Sequence, residues 1–302
     1  MSMFRISALP IFFAILLLTG CSSGGYSPDK LNNELCNYVR NKDCRIGIAV
    51  IYNGDTVEVN GNEKFPMLSV YKFPQAIAAG KIMSEMGIIP DDTIEVSASL
   101  ILPETWSPLR ERYGIGDLRL PIGEVLSYSL VMSDNNACDI IFEITGGVEI
   151  ADSLIKSLGY KDIDLVNTEA EMNADPMLCY DNSATPIALA ALMSDFYSTM
   201  CSESDWMRSI KANLELCETG KGRIPSAAFD DETLIGHKTG TGPKDKDGKI
   251  IAVNDVGYVE FASGCHYTLS VMVSQSADNL DDTERIIGEI SEIVRRNIVG
   301  GE

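Results

Sequence analysis

The sequence predicts a mixed α/β fold, α+β in arrangement. A five-stranded antiparallel sheet is flanked by helices, and an all-helical domain is inserted between its second and third strands. Three observations predict it. Runs rich in β-branched residues gather near the two ends of the chain, the long middle reads at helical spacing, and an amphipathic helix closes the chain.

Residues 46–60 come first, as two β-rich runs joined at Asn53-Gly54, a dipeptide suited to the left-handed angles of a tight hairpin turn. From about residue 66 to 215 strand-like runs are few, and 76–86, 122–132, 138–144 and 186–197 carry apolar residues at helical periodicity. Three more strand runs follow at 233–238, 251–261 and 267–273, the first two separated by a polar turn over 244–249. Five locally linked strands favour antiparallel pairing. Residues 279–298 then set Ile286, Ile287, Ile290, Ile293 and Val294 near one helical face. The expected divisions are a removable segment at 1–20, a tether at 21–30, a sheet domain from 31–64 and 220–302, and an all-helical domain at 65–219.

The first segment reads as a targeting signal. Arg5 precedes the apolar run 11–18, too short to span a bilayer comfortably, and small residues lead to Cys21. The junction Leu18-Thr19-Gly20-Cys21 resembles a bacterial lipoprotein cleavage box. That resemblance implies lipid on Cys21, a flexible Ser22-Ser23-Gly24-Gly25 tether, and a periplasmic, membrane-anchored protein. A plain secretory signal with an incidental cysteine is the alternative.

The chain carries 44 acidic and 24 basic side chains, a formal net charge of −20. This balance argues against nucleic acid or anionic lipid headgroups as partners, so the N-terminal lipid is the one membrane contact expected. An anionic small-molecule substrate would need a local cationic pocket. Seven cysteines follow Cys21 and none forms a CxxC pair, so a full disulfide framework is not expected, although Cys36 and Cys44 could pair in an oxidising space. The only histidines, His237 and His266, lie in no HxH or HExxH pattern, so neither metal nor cofactor is expected. A monomer is expected.

Ser69-Val-Tyr-Lys72 places a hydroxyl and an amine on one face of a helix start. A serine hydroxyl is a poor nucleophile until a neighbouring base takes its proton, and Lys72 is close enough to participate. Pro74, which lacks an N–H, puts the helix start very near Ser69. Ser133-Asp134-Asn135 lies between two helical stretches, where a helix N-cap would explain it. Lys238-Thr239-Gly240 lies in a strand run, where an edge-strand lysine would be ordinary. Each pattern alone is weak. In this order, with about 60 and about 105 residues between them, they form a set.

The set SxxK, SDN and KTG resembles the class A β-lactamases and the penicillin-binding proteins. The resemblance covers nearly the whole chain after the signal, including the sheet split by a helical insertion. Asn167-Thr-Glu169-Ala-Glu-Met-Asn173 matches the Ω-loop motif that separates a lactamase from a penicillin-binding protein. The resemblance implies Ser69 as nucleophile, Lys72 and Ser133 as proton carriers, and Glu169 with Asn173 as holders of the hydrolytic water. It places the oxyanion hole at the backbone N–H groups of Ser69 and Thr241. Asn135, Lys238, Thr239, Gly240 and Thr241 would line the substrate, with its carboxylate on Lys238, Thr239 and Thr241, and Trp106 would be an aromatic gatekeeper. Family members need a second cation there. No arginine lies between Lys238 and Arg285, so Arg223 is the expected substitute, its fork matching a carboxylate. The second reading is a D,D-carboxypeptidase or transpeptidase acting on peptidoglycan, and the third a non-catalytic lipoprotein. Glu171 is the alternative to Glu169.

Departures from the family pattern carry further expectations. Asp139 stands where asparagine is usual, Ala170 where proline is common, and Asn167 and Asn182 where an arginine–aspartate bridge often lies. The Ω loop is therefore expected to be held by Asp139 bonding Asn182, and a cis bond after Glu169 becomes doubtful. With Thr241, these features resemble the cephalosporinase-type branch of anaerobic Gram-negative bacteria. That implies cephalosporins as favoured substrates, penicillins as further ones, and antibiotic resistance as the outcome.

Overall fold

The structure, a computed structural model, describes residues 25–228 and 233–299; the targeting segment and Cys21 lie outside the described residues. Asn53 (φ 51°) and Gly54 (φ 84°) both take left-handed angles, and their turn joins β1 (Arg45–Tyr52) to β2 (Asp55–Val59) as the dipeptide requires. The C-terminal runs become β3 (Leu234–Thr241), β4 (Ile250–Glu260) and β5 (His266–Ser276). The sheet order is β2-β1-β5-β4-β3, antiparallel throughout, so the two ends of the chain meet where β1 pairs β5, Ile48 opposite Val271.

The helices run in chain order as α1 (Pro28–Val39), α2 (Lys72–Glu85), α3 (Pro108–Tyr113), α4 (Ile122–Val131) and α5 (Asn135–Thr145). They continue as α6 (Val148–Ser157), α7 (Glu169–Ala174), α8 (Pro186–Ser198), α9 (Asp205–Glu215) and α10 (Leu280–Val299). The helical runs read from the sequence fall in α2, α4, α5, α8 and α10. Helix α1 begins at Pro28, capped by Ser27, so the chain is already helical where the tether was expected to extend. Cys36 on α1 and Cys44 before β1 are both free, so the pairing considered for them does not form.

Both faces of the sheet are covered. On one, Leu31 and Leu35 of α1 and Ile287, Ile290 and Val294 of α10 pack on Ile48, Val50, Leu269 and Val271. On the other lies α8, which approaches closely because Gly47 has no side chain: a Cβ there would sit 2.5 Å from the Phe65 ring and 2.6 Å from Pro186. Strand β4 is accordingly buried at every residue but its last, and reads as a near-continuous apolar run. At the centre of the helical part α2 is buried all round from Lys72 to Gly80, packed by α4, α5, α6 and α9, and meets solvent only in its last turn.

One polar residue in the apolar run of β4 ties the sheet to the helical part. Asn254 Nδ2 donates to the carbonyls of Pro66 (2.8 Å) and Met67 (3.0 Å), the residues that lead into Ser69. Asn254→Ala removes both of these buried hydrogen bonds, the Met67 carbonyl keeping only Val70 N, and is expected to lower stability by about 1–3 kcal/mol, read as a lower urea midpoint. An unchanged midpoint would show that the tie contributes nothing.

Candidate active site

Ser69 sits in a 3₁₀ turn, Leu68–Tyr71, that runs straight into α2 at Lys72. Pro74 falls in the first turn of α2, where backbone N–H groups have no intrahelical partner, so its missing donor costs nothing. Leu68 takes φ 48° and Ser133 φ 58°, left-handed angles that cost of order 1–3 kcal/mol each for such residues and concentrate at functional sites. Lys72 Nζ lies 3.2 Å from Ser69 Oγ and also reaches the Ser133 carbonyl at 2.9 Å, Asn135 Oδ1 at 2.7 Å and Glu169 Oε1 at 2.8 Å. It is wholly buried, and these oxygens replace the water it has lost.

Ser133, Asp134 and Asn135 bridge α4 to α5. Asp134 caps α5 by accepting from Ala137 N, so the simple helix-cap reading of this motif is also true. Its buried carboxyl further accepts from Ser107 Oγ and Leu109 N, fixing the loop that carries Thr105 and Trp106. Burial pushes that carboxyl up, partly offset by the N–H groups of Ala137 and Leu109. Asn135 Nδ2 donates to Thr105 Oγ1 at 2.8 Å, which fixes the amide so that its oxygen faces Lys72. The Trp106 ring, next in sequence to Thr105, is exposed, with its indole N–H on the Met132 carbonyl.

The Ω-loop segment forms a short helix, α7. Thr168 caps it, and Glu171 completes a capping box by accepting from Thr168 N at 2.8 Å. Glu171 is thus engaged at the surface, while Glu169 is buried and meets Lys72, which separates the two candidate bases. The expected Asp139–Asn182 bond is not formed. Asp139 instead accepts from the backbone N–H groups of Glu169 and Ala170, both at 2.8 Å, and Asn182 holds Val166 N, Asn167 N and the Asn167 carbonyl. The physical reason is reach: two amides without an intrahelical partner at the start of α7 lie against the Asp139 carboxyl, while the Asn182 amide is taken up by the backbone of 166–167. Burial raises the Asp139 carboxyl; the two N–H donors oppose this and the Glu169 charge adds to it, leaving it at about 7. Among the described residues every peptide bond is trans, including the one after Glu169.

Strand β3 forms the opposite wall. Gly240 lets it close on Ser69, since a Cβ there would lie 2.4 Å from the Met67 carbonyl and 3.2 Å from Ser69 N. Lys238, wholly buried, donates to Ser133 Oγ at 2.9 Å and to the Thr239 carbonyl at 3.0 Å; burial pulls its ammonium down to about 8. Arg223 does reach the strand, with Nη2 2.6 Å from Thr241 Oγ1 and Nη1 on the carbonyls of Gly240 (3.1 Å) and Asn254 (2.8 Å). Its fork also binds Glu284 of α10 at 2.7 Å, an acid that the sequence did not single out. Ser69, Asn135, Glu169, Asn173, Met172 and Thr241 share one cleft. Sequence reasoning missed Thr105, Ser107 and Asn254. Only Asn254 left a signal, a lone amide in an apolar strand.

A half-buried serine beside a buried lysine and glutamate, facing a cationic strand, is suited to acyl transfer followed by hydrolysis. The β-lactamase enzyme family matches residues 29–298, and the chain belongs to it. A β-lactamase of Phocaeicola vulgatus is 34% identical, over 82% of this chain and 78% of its own length. The β-lactamase VEB-1 of Pseudomonas aeruginosa is 31% identical over 94% of each. The crystal structure of the TLA-1 extended-spectrum β-lactamase superimposes with a TM-score of 0.87 at 33% identity, covering 90% of this chain and 99% of that one. A class A β-lactamase from Bacteroides cellulosilyticus gives 0.85 at 32% identity, covering 90% and 98%. Within the family, this chain is a class A serine β-lactamase.

The raised Asp139 carboxyl fixes a sign for stability. In the unfolded chain it titrates near 3.9, so between about pH 4 and about pH 7 the folded state holds a proton that the unfolded state has lost, and stability falls as pH rises. Asp139→Asn removes that fall. Relative to the parent, its urea midpoint is expected to be higher at about pH 8 than at about pH 5; a difference that does not change with pH would contradict the assignment.

Proposed function

We propose that the protein opens the ring of β-lactam antibiotics, cephalosporins best and penicillins as well, through an acyl-enzyme on Ser69, and so confers resistance. The observation that carries this reading is the 2.8 Å contact of Glu169 with Lys72 behind the nucleophile. It puts a second base, a carboxylate, beside Lys72 at the serine, which a protein that is merely acylated by the drug does not need.

The roles follow from the geometry. The Ser69 hydroxyl attacks the lactam carbonyl, and its proton passes to the Lys72–Glu169 pair, whose nearer member is Lys72 at 3.2 Å. The developing oxyanion takes the backbone N–H groups of Ser69 and Thr241, brought together by the Gly240 approach. Ser133, hydrogen-bonded to Lys238, hands a proton to the departing lactam nitrogen. Water held by Glu169 and Asn173 then attacks the ester carbonyl; Glu169 takes its proton and free Ser69 is restored. Lys238, Thr239 and Thr241 bind the substrate carboxylate. Arg223 acts from behind, orienting the Thr241 hydroxyl and adding charge to the strand. Met172, Pro176 and Pro243 leave apolar room beside the cleft for the drug's side chain, and the exposed Trp106 follows Thr105 of the cleft wall. The likeness to extended-spectrum enzymes supports a broad range of lactams.

Glu169→Ala is expected to accumulate an acyl-enzyme, seen in intact-mass spectra as the mass of the added lactam, while Ser69→Ala shows no adduct. Normal turnover by Glu169→Ala would refute its role. Arg223→Ala is expected to lower kcat/KM for carboxylate-bearing lactams on the order of 10- to 100-fold, the worth of one charged hydrogen bond, while highly reactive lactams still acylate Ser69. An unchanged kcat/KM would leave Arg223 a structural partner of Glu284 alone.

A further inference from the structure

The Ω loop leaves and rejoins the body at a neck that carries four charges outside the catalytic cluster. Three short pieces of chain meet there. Ser183–Ala184 is the middle one, paired with Phe65–Pro66 on one side and, through Ala184, with Ile163 on the other. The neck leads to both halves of the mechanism. The Asn182 carbonyl accepts from Met67 N at 2.8 Å, two residues before Ser69, and Leu165 stands four residues before Glu169.

Pairings this short give little backbone ladder, so side chains hold the neck together. From inside, the Asn182 amide takes Val166 N and Asn167 N. From outside, Asp164 pairs with Lys64, which precedes Phe65, and its Oδ1 lies 3.1 Å from Lys156 Nζ of α6. Lys156 also lies 2.8 Å from Asp152, one helical turn earlier, and Asp152 Oδ1 accepts from Leu165 N at 3.0 Å. Asp164 therefore joins the chain that leads to the nucleophile, the helix α6, and the chain that leads to Glu169.

These pairs are charged at neutral pH. Burial would raise the Asp164 carboxyl, but Lys64 and Lys156 outweigh it and hold the group below the usual carboxylate range. A single exposed ion pair contributes little to stability. A carboxylate shared by two lysines where three pieces of chain meet does something else: it restrains their relative position. Position is what a catalytic base four residues away depends on, because small displacements of a reacting group cost rate steeply.

We propose that Asp164 is a positioning residue for deacylation: its pairs with Lys64 and Lys156 hold the neck, and through it Glu169, in place against Ser69. The proposal rests on the function proposed above, in which Glu169 takes the proton of the hydrolytic water. Acylation depends less on the neck, since the group nearest the Ser69 hydroxyl is Lys72, on α2. The two steps therefore separate when Asp164 loses its charge.

The test follows the Ser69 adduct of a slowly hydrolysed lactam by intact-mass spectrometry. Build-up of the adduct reads acylation; its loss, after excess lactam is removed, reads deacylation. Asp164→Asn is expected to slow adduct loss on the order of 3- to 10-fold and to change build-up much less. Lys64→Met is expected to slow loss in the same direction, and to add nothing when combined with Asp164→Asn. Both lysines are partly exposed, so salt reaches the pairs. Raising it to about 1 M, where the screening length is about 3 Å, is expected to slow loss in the parent but not in Asp164→Asn. Should Asp164→Asn fail to fold, Lys64→Met and the salt dependence of the parent still decide. Equal slowing of both steps, or adduct loss at the parent rate in Asp164→Asn, would overturn this proposal alone. A parent whose adduct is never hydrolysed would overturn the proposed function, and this proposal with it.

Discussion

Lys72 is a cation from which the fold has removed all water, and the rest of the site is arranged around meeting its charge. An isolated ammonium in such a place would be too costly to keep, and the four oxygens around it are delivered by three parts of the chain. The turn before α2 brings Ser69, the α4–α5 junction brings the Ser133 carbonyl and Asn135, and α7 brings Glu169. The geometry that stabilises the lysine is therefore the geometry that assembles the nucleophile and its bases. Removing one member leaves a buried charge short of a partner as well as a mechanism short of a step.

Each delivering element has its own support. Asn254 ties β4 to the residues before Ser69, Asp134 locks the SDN turn to the Trp106 loop, and Asp139 holds the first amides of α7. These supports are polar side chains that are buried and aimed at backbone groups, which fixes direction as packing alone cannot. On the far wall, Gly240 removes the bulk that would keep β3 from Ser69, and Arg223 with Glu284 braces the strand from α10.

Much of this was legible in the sequence. Asn53-Gly54 marks the hairpin because few residues accept two successive left-handed angles, and the β-branched runs at 251–261 and 267–273 mark β4 and β5. Ser69, Lys72, Ser133, Glu169 and Lys238 were legible because their chemistry constrains residue type and order together, and Arg223 because a cation was missing from the strand after Lys238. The support of the Ω loop was not legible. Asp139 and Asn182 are both polar and near the loop, and whether they bond to each other or to backbone N–H groups depends on where α7 starts, a matter of a residue or two that composition does not carry. Glu284 escaped notice for a similar reason: on an acidic amphipathic helix it is one carboxylate among many until α10 is laid against Arg223.

The central claim is that Glu169, placed against Lys72, makes the Ser69 ester a transient intermediate. Its most direct test is the time course of a chromogenic cephalosporin present in large excess over the purified protein. The account predicts a colour change that continues at constant rate through many equivalents until the substrate is exhausted. A burst of one equivalent followed by a flat trace would contradict it and return the chain to the chemistry of a penicillin-binding protein.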